Sequence, residues 1–177
     1  MTEIKTTSKP KNIIVCCDGT GNQYGENNTN VVKLFESLAS TEEQKIFYDP
    51  GVGTSSNALL VPFQLVSNVF SQALGLDLQR NAEDAYYFLM NTYKEGDKIF
   101  MFGSSRGAHT VRRLASLIEM CGLLHRGSEN MIPYVSRMYL SNKSKNIESD
   151  PILNDFRNTY TRRCDIHFVG VWDTVSA

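Results

Sequence analysis

The passage from Lys98-Ile-Phe-Met-Phe102 through Gly103-Ser104-Ser105-Arg106-Gly107 restricts this chain more than any other feature. The first five residues read as a strand. From about Arg106 onward, Ala108, Val111, Ala115 and Ile118 recur at helical spacing. A chain that passes from strand to helix so abruptly must turn sharply. Side chains two positions before or after the middle of that turn would collide, and Gly103 and Gly107 remove the collision. Ser105 is then lifted above the sheet edge, and the N–H of Arg106 points toward the same place. The plainer reading is a tight glycine turn that serves packing alone.

Similar alternation runs through the rest of the chain. Asn12-Ile-Ile-Val-Cys-Cys17 is a continuous apolar run of the kind that suits a strand covered on both faces. Thr29 or Asn30 caps a helix with Val31, Leu34, Phe35 and Leu38 on one stripe. Lys45–Tyr48 is a second strand. A long helix carries Leu78, Ala82, Ala85, Tyr86, Leu89 and Tyr93, and weaker helical patterns occupy about 129–140 and 152–160. Ile166–Val171 is the last strand. This order predicts an α/β fold, a three-layer sandwich around a mainly parallel central sheet. Ligands of such sheets bind beyond the carboxyl ends of the strands. Asp18-Gly19-Thr20-Gly21-Asn22, Gly103–Gly107 and Trp172-Asp173-Thr174 all fall there. Residues 1–11 read as a flexible N-terminal tail and 12–177 as one domain.

Composition excludes several functions. The net charge of −1 gives no footprint for nucleic acid. Cys16, Cys17, Cys121 and Cys164 have no metal-ligand spacing, so no metal or other cofactor is expected. The greasiest stretch, 57–76, is interrupted by Pro62, Gln64, Ser67, Asn68 and Gln72, which argues against a transmembrane segment. Its apolar positions Leu59, Phe63, Val66, Val69, Phe70, Ala73 and Leu74 suit either a lid facing lipid or a core helix. No apolar signal region opens the chain, which predicts a cytoplasmic protein unless secretion proceeds without a signal.

Around Ser105 the chemistry needs further groups. Amides of Gly19 or Thr20 join that of Arg106 as oxyanion donors, because small residues let backbone approach a ligand closely. Asp173 ends a strand, where a carboxylate can orient a histidine, and Trp172 lines the same edge with Asn22. Asp18 reads as a brace of its loop or, alternatively, as an aspartyl nucleophile of a phosphohydrolase. The histidines do not complete the set. His109 shares a helical face with Arg112, Arg113 and Ser116, His125 lies in a loop, and His167 opens a strand at the far end.

Six motifs in order, Cys17–Asn22, Tyr48–Thr54, Asn81 with Ala85–Leu89, Gly96–Ile99, Phe102–Arg112 and Gly170–Val175, resemble the α/β-hydrolase family of type VI secretion phospholipase effectors. That resemblance implies an α/β-hydrolase-like fold and a serine esterase acting on lipid or other esters, with Ser105 as nucleophile and Asp173 as triad acid. Two departures accompany it. Ser104 stands where the family has an aromatic residue, and the family's histidine lies in a later segment. The resemblance therefore implies a domain that is C-terminally incomplete, lacking its last strands and histidine loop. A missing segment or partner chain would complete the sheet. A catalytically incomplete pseudoenzyme or partner-binding module is the alternative.

Overall fold

The structure, a computed structural model, describes residues 9–19, 28–51, 67–142 and 150–174; the side chains of 67–77 and 142 are outside that description. The elements are β1 (Asn12–Cys17), α1 (Asn30–Ser37), β2 (Gln44–Asp49), α2 (Ser67–Thr92), β3 (Lys98–Ser104), α3 (Arg106–Cys121), β4 (Leu123–Leu124), α4 (Ile132–Asn142), α5 (Pro151–Tyr160), β5 (Thr161–Arg162) and β6 (Ile166–Trp172). A 3-10 turn at Glu129–Met131 leads into α4.

Four strands form one parallel sheet in the order β2-β1-β3-β6. β1 and β3 are central, and their alternate side chains enter two different cores. Ile13, Val15, Cys17, Ile99 and Met101 pack with α2, α3, α4 and α5, in a cluster that includes Leu89, Leu114, Val135 and Phe156. Ile14 and Cys16 face the other way, toward Val31, Leu34, Phe102 and Trp172. Burial on both faces is what the unbroken apolar run of β1 requires, since strand side chains alternate. Removing each such side chain from water contributes about 1.5–3 kcal/mol.

Local signals place several boundaries. Thr29 caps α1, its hydroxyl accepting from the Val32 N–H at 3.1 Å. Asp150 caps α5, accepting from the Ile152 and Leu153 amides, with Pro151 in the first turn. The turn into β3 is held by Asp97, which is 8% exposed. Its carboxylate accepts from the Lys94 and Lys11 amides and pairs with the Lys11 ammonium. Thus the residue just before β1 is tied to the residue just before β3. Residues 1–8 of the expected tail lie outside the described residues.

Two features differ from the sequence reading. α2 begins at Ser67 and forms one 26-residue helix, so half of the segment read as lid or core helix belongs to it. Polar residues at Ser67, Asn68 and Gln72 obscured that start. Leu59, Phe63 and Val66 lie outside the described residues, as do the side chains of Val69, Phe70, Ala73 and Leu74. The second feature is the two-residue antiparallel ribbon β4–β5, too short to show any alternation.

Tyr86 joins that ribbon to α2. Its buried hydroxyl donates to the Gly122 carbonyl at 2.9 Å and accepts from the Leu124 N–H at 2.8 Å. Tyr86→Phe strands both partners in the core and is expected to cost about 1–3 kcal/mol, read from the urea midpoint at unchanged slope.

Candidate active site

β1 and β3 are neighbours, yet the chain leads from β1 to β2 on one side and from β3 to β6 on the other. A crevice opens at the carboxyl ends where such a sheet changes direction. Asp18 and Gly19 follow β1 there, Ser105 follows β3, and Asp173 follows β6. The three strand-end motifs therefore share one edge.

Ser105 has φ 52° and ψ −117°. Among the described residues, Ser105 and Asp173 (φ 45°) are the non-glycine positions with positive φ. A non-glycine side chain in such a region is strained by about 1–3 kcal/mol. The two glycines have distinct spatial reasons. A Cβ on Gly103 would lie 2.4 Å from the Gly107 carbonyl oxygen, which reflects the sharpness of the turn. A Cβ on Gly107 would lie 2.0 Å from the Cys17 carbonyl oxygen, so the first turn of α3 rests on the end of β1. The Ser105 N–H donates to the Trp172 carbonyl at 3.0 Å, which brings the start of Asp173 alongside the serine. Asp173 is exposed, and Ser105 and Arg106 are half-buried. Trp172 stacks on Phe102 with ring centroids 6.2 Å apart.

Asp18 is 1% exposed. Its Oδ1 accepts from the Gly19 N–H at 2.7 Å, and its Oδ2 accepts from the Thr29 hydroxyl at 2.8 Å and the Tyr48 hydroxyl at 3.2 Å. One carboxylate thus braces its own loop, the cap of α1 and the end of β2. In this conformation the Gly19 N–H is engaged by Asp18; Thr20 and Asn22 lie outside the described residues. Burial, then the Asp18 charge, pushes the Cys16 thiol up to about 12. Burial likewise raises the Tyr48 hydroxyl, with Asp18 adding to the effect.

Asp49, at the end of β2, joins this network; in the chain it stands out only as part of the Tyr48–Thr54 motif. Its Oδ1 accepts from the Gly51 N–H at 3.0 Å, while its buried Oδ2 has no hydrogen-bond partner. Burial raises its pKa, opposed by hydrogen bonds from Gly51 and Asn81 and reinforced by Asp84 and Asp18. Only the Asp-Pro-Gly turn signal pointed to this position.

The histidines are dispersed. His109 lies on α3, one turn beyond Ser105, and is half-buried; His125 and His167 are exposed. His125 follows β4, and the His167 ring meets Phe100 near the start of β6. A cleft of about 440 Å³ lies at the opposite end of the sheet from Ser105, lined in part by Lys9, Lys11, Lys45, Lys94 and Arg126. Three of its lysines are already paired, with Glu43, Asp97 and Glu42. Among the described residues no group of three or more acidic, histidine or cysteine side chains could hold a metal ion, and no helix is long and apolar enough to cross a membrane.

With this edge assembled, comparison with known proteins becomes decisive. Residues 11–177 match the family described as T6SS, Phospholipase effector Tle1-like, catalytic domain. The chain belongs to this family. It is also 33% identical to a protein of Saccharomyces cerevisiae, named Uncharacterized protein YEL023C, over 187 residues. That match covers 97% of this chain and 27% of the yeast protein's length. No solved structure matches the chain significantly.

Two outcomes follow from the geometry. Gly107→Ala drives a methyl group into backbone that cannot yield cheaply and is expected to cost at least about 3 kcal/mol, measured by urea unfolding. For Asp49 the folded pKa is raised, so its ionisation works against folding. That penalty is absent below its ordinary value of 3.8, grows as pH rises through it, and is complete above the folded value. Asp49→Asn is therefore expected to gain stability relative to the unaltered chain between about pH 3 and pH 7, read from unfolding midpoints at each pH.

Proposed function

We propose that this domain has an α/β-hydrolase-like fold and is the nucleophile-bearing part of a lipase-type serine esterase that acts on phospholipid-like acyl esters. The observation that carries this reading is the backbone of Ser105: a strained serine between a parallel strand and a helix N-terminus, spaced by two glycines that tolerate no Cβ. Strain at a residue that burial does not require is a mark of function. Family membership supports the phospholipid-like substrate class.

In this reading a base takes the proton of the Ser105 hydroxyl as Oγ attacks the ester carbonyl carbon. The carbonyl oxygen becomes an oxyanion facing the Arg106 N–H and the positive end of α3. Collapse expels the alcohol, which takes the proton back from the base, and water then releases the acid by the reverse route. Asp173 orients the base. In this reading the base is a histidine outside these 177 residues, since His125 and His167 lie toward the other end of the sheet and His109 is carried within α3, one turn beyond Ser105. Completion of the sheet at β6 by that segment or by a partner chain belongs to the same reading.

Asp18 favours the brace over the phosphohydrolase alternative, since both of its oxygens are engaged and it is buried. The test is covalent. A fluorophosphonate probe is expected to label longer protein containing this domain and not its Ser105→Ala variant, while Asp18→Asn, if folded, remains labelled; the 177 residues alone, without the base, should label far more slowly. Longer protein containing this domain should release fatty acid from phosphatidylcholine vesicles and lose at least about 1,000-fold in kcat with Ser105→Ala. Failure of Ser105 to label in both forms of the protein would leave the non-enzymatic alternative.

A further inference from the structure

On the serine esterase reading, the site has a second layer on the sheet face beside Ser105. β3 and β6 run parallel, and their register sets Phe102 opposite Gly170 and Ser104 opposite Trp172. Side chains of paired residues project to one face, as do those two apart on a strand. Phe168, Gly170 and Trp172 therefore share the face that carries Phe102. Gly170 leaves a gap between two flanking rings, and the Phe102 ring fills it. A Cβ on Gly170 would lie 2.9 Å from the Phe168 ring and 3.0 Å from that of Phe102. Three rings thus stand in a row, the Phe102 centroid 5.6 Å from Phe168 and 6.2 Å from Trp172.

Only one end of this row reaches the site. Phe168 is 50% exposed and lies partway along β6. Trp172 closes β6, and its carbonyl accepts from the Ser105 N–H at 3.0 Å, one residue past the end of β3. That bond joins two strained places. Its donor belongs to Ser105, at φ 52°, and its acceptor to the peptide group leading into Asp173, at φ 45°. Such strain persists only where the surroundings over-determine it. One neutral hydrogen bond contributes no more than the strain at a single such residue costs, so it does not hold both. The Trp172 backbone needs a second hold. Phe102 supplies it, because its ring is seated on the smaller core around Ile14, Cys16 and Val31 and stacks on the Trp172 ring.

We infer that Phe102 is a positioning residue for Ser105 chemistry: seated over Gly170, its ring holds Trp172 so that the Trp172 carbonyl stays on the Ser105 amide and Asp173 keeps its place at the end of β6. It acts through Trp172 and not on the reacting atoms. Covering a sheet face would need only an apolar side chain; this role needs the ring and the glycine opposite it.

The test uses longer protein containing this domain and a p-nitrophenyl acyl ester, with kcat and KM read separately. Phe102→Leu removes the ring and keeps apolar bulk, while Gly170→Ala displaces the ring without altering it. Phe102→Tyr keeps the ring, and Phe168→Ala removes the ring of the row that does not reach Trp172. Phe102→Leu and Gly170→Ala are each expected to lose about 10–100-fold in kcat with KM changed by less than about 2-fold, while Phe102→Tyr and Phe168→Ala stay within about 3-fold. The acid limb of the kcat/KM profile reports the base, whose charged form a well-placed Asp173 carboxylate favours. In the two impaired variants that limb should move to lower pH, a change that lost packing alone does not produce. Hydrogen exchange at the segment holding the Ser105 amide should quicken in the same two and not in Phe168→Ala. Phe102→Leu at the unaltered kcat, or Phe168→Ala losing as much, would overturn the inference. So would a rise in KM alone, which would set the ring against substrate. Should Phe102→Leu not fold, Gly170→Ala decides. If the unaltered longer protein cleaves no ester, the esterase reading fails and the catalytic role of Phe102 with it. Exchange at Ser105 then decides separately whether the ring holds Trp172.

Discussion

The contact between Gly107 and the carbonyl of Cys17 sets the terms for the whole molecule. A helix can rest on the end of a neighbouring strand only if nothing projects between them. Here that contact puts the positive end of α3 directly over the carboxyl end of β1. It also forces β3 to turn within a single residue, which is why Ser105 has a backbone that serine otherwise avoids. Two cores of opposite orientation hold β1 and β3 in register tightly enough to impose that strain.

Electrostatic cost gathers at the same edge. Asp18 and Asp49 are drawn out of water within one sheet end, and the thiols of Cys16 and Cys17 are pushed upward by burial there. The other end of the sheet is arranged differently: Asp97 is matched by two backbone amides and the Lys11 ammonium. At that end the Asp97 carboxylate is fully matched, whereas Asp49 at the crevice end keeps an unpartnered oxygen.

Much of this was legible in the chain itself, for definite reasons. β1 and β3 are apolar runs bounded by turn residues, Thr29 is a strong helix cap, and Gly103 and Gly107 can be read as steric necessities. The parallel sheet follows from the alternation of strands and helices. Other features depend on distance in space. Asp49 takes the Asp18 N–H on its carbonyl from the neighbouring strand end, and nothing local distinguishes it from an ordinary loop aspartate. The same holds for Tyr48 and Thr29, which converge on Asp18 from two elements. The β4–β5 ribbon has two residues on each side, below the length at which any period can be seen. α2 hid its first turns behind Ser67, Asn68 and Gln72.

The position of β1 at the centre of the sheet has a consequence for how the chain is born. Its partner β3 lies far along the polypeptide: Lys11 and Asp97, which flank the pair, are 86 residues apart. At roughly 5–20 residues per second of synthesis, the Ile-Ile-Val-Cys-Cys run therefore waits several seconds outside the ribosome before its permanent neighbour exists. Only α1, β2 and α2 can shelter it in the meantime. The nascent domain is thus exposed to misassociation through its own central strand, and its yield in the cell is tied to how well that interval is guarded.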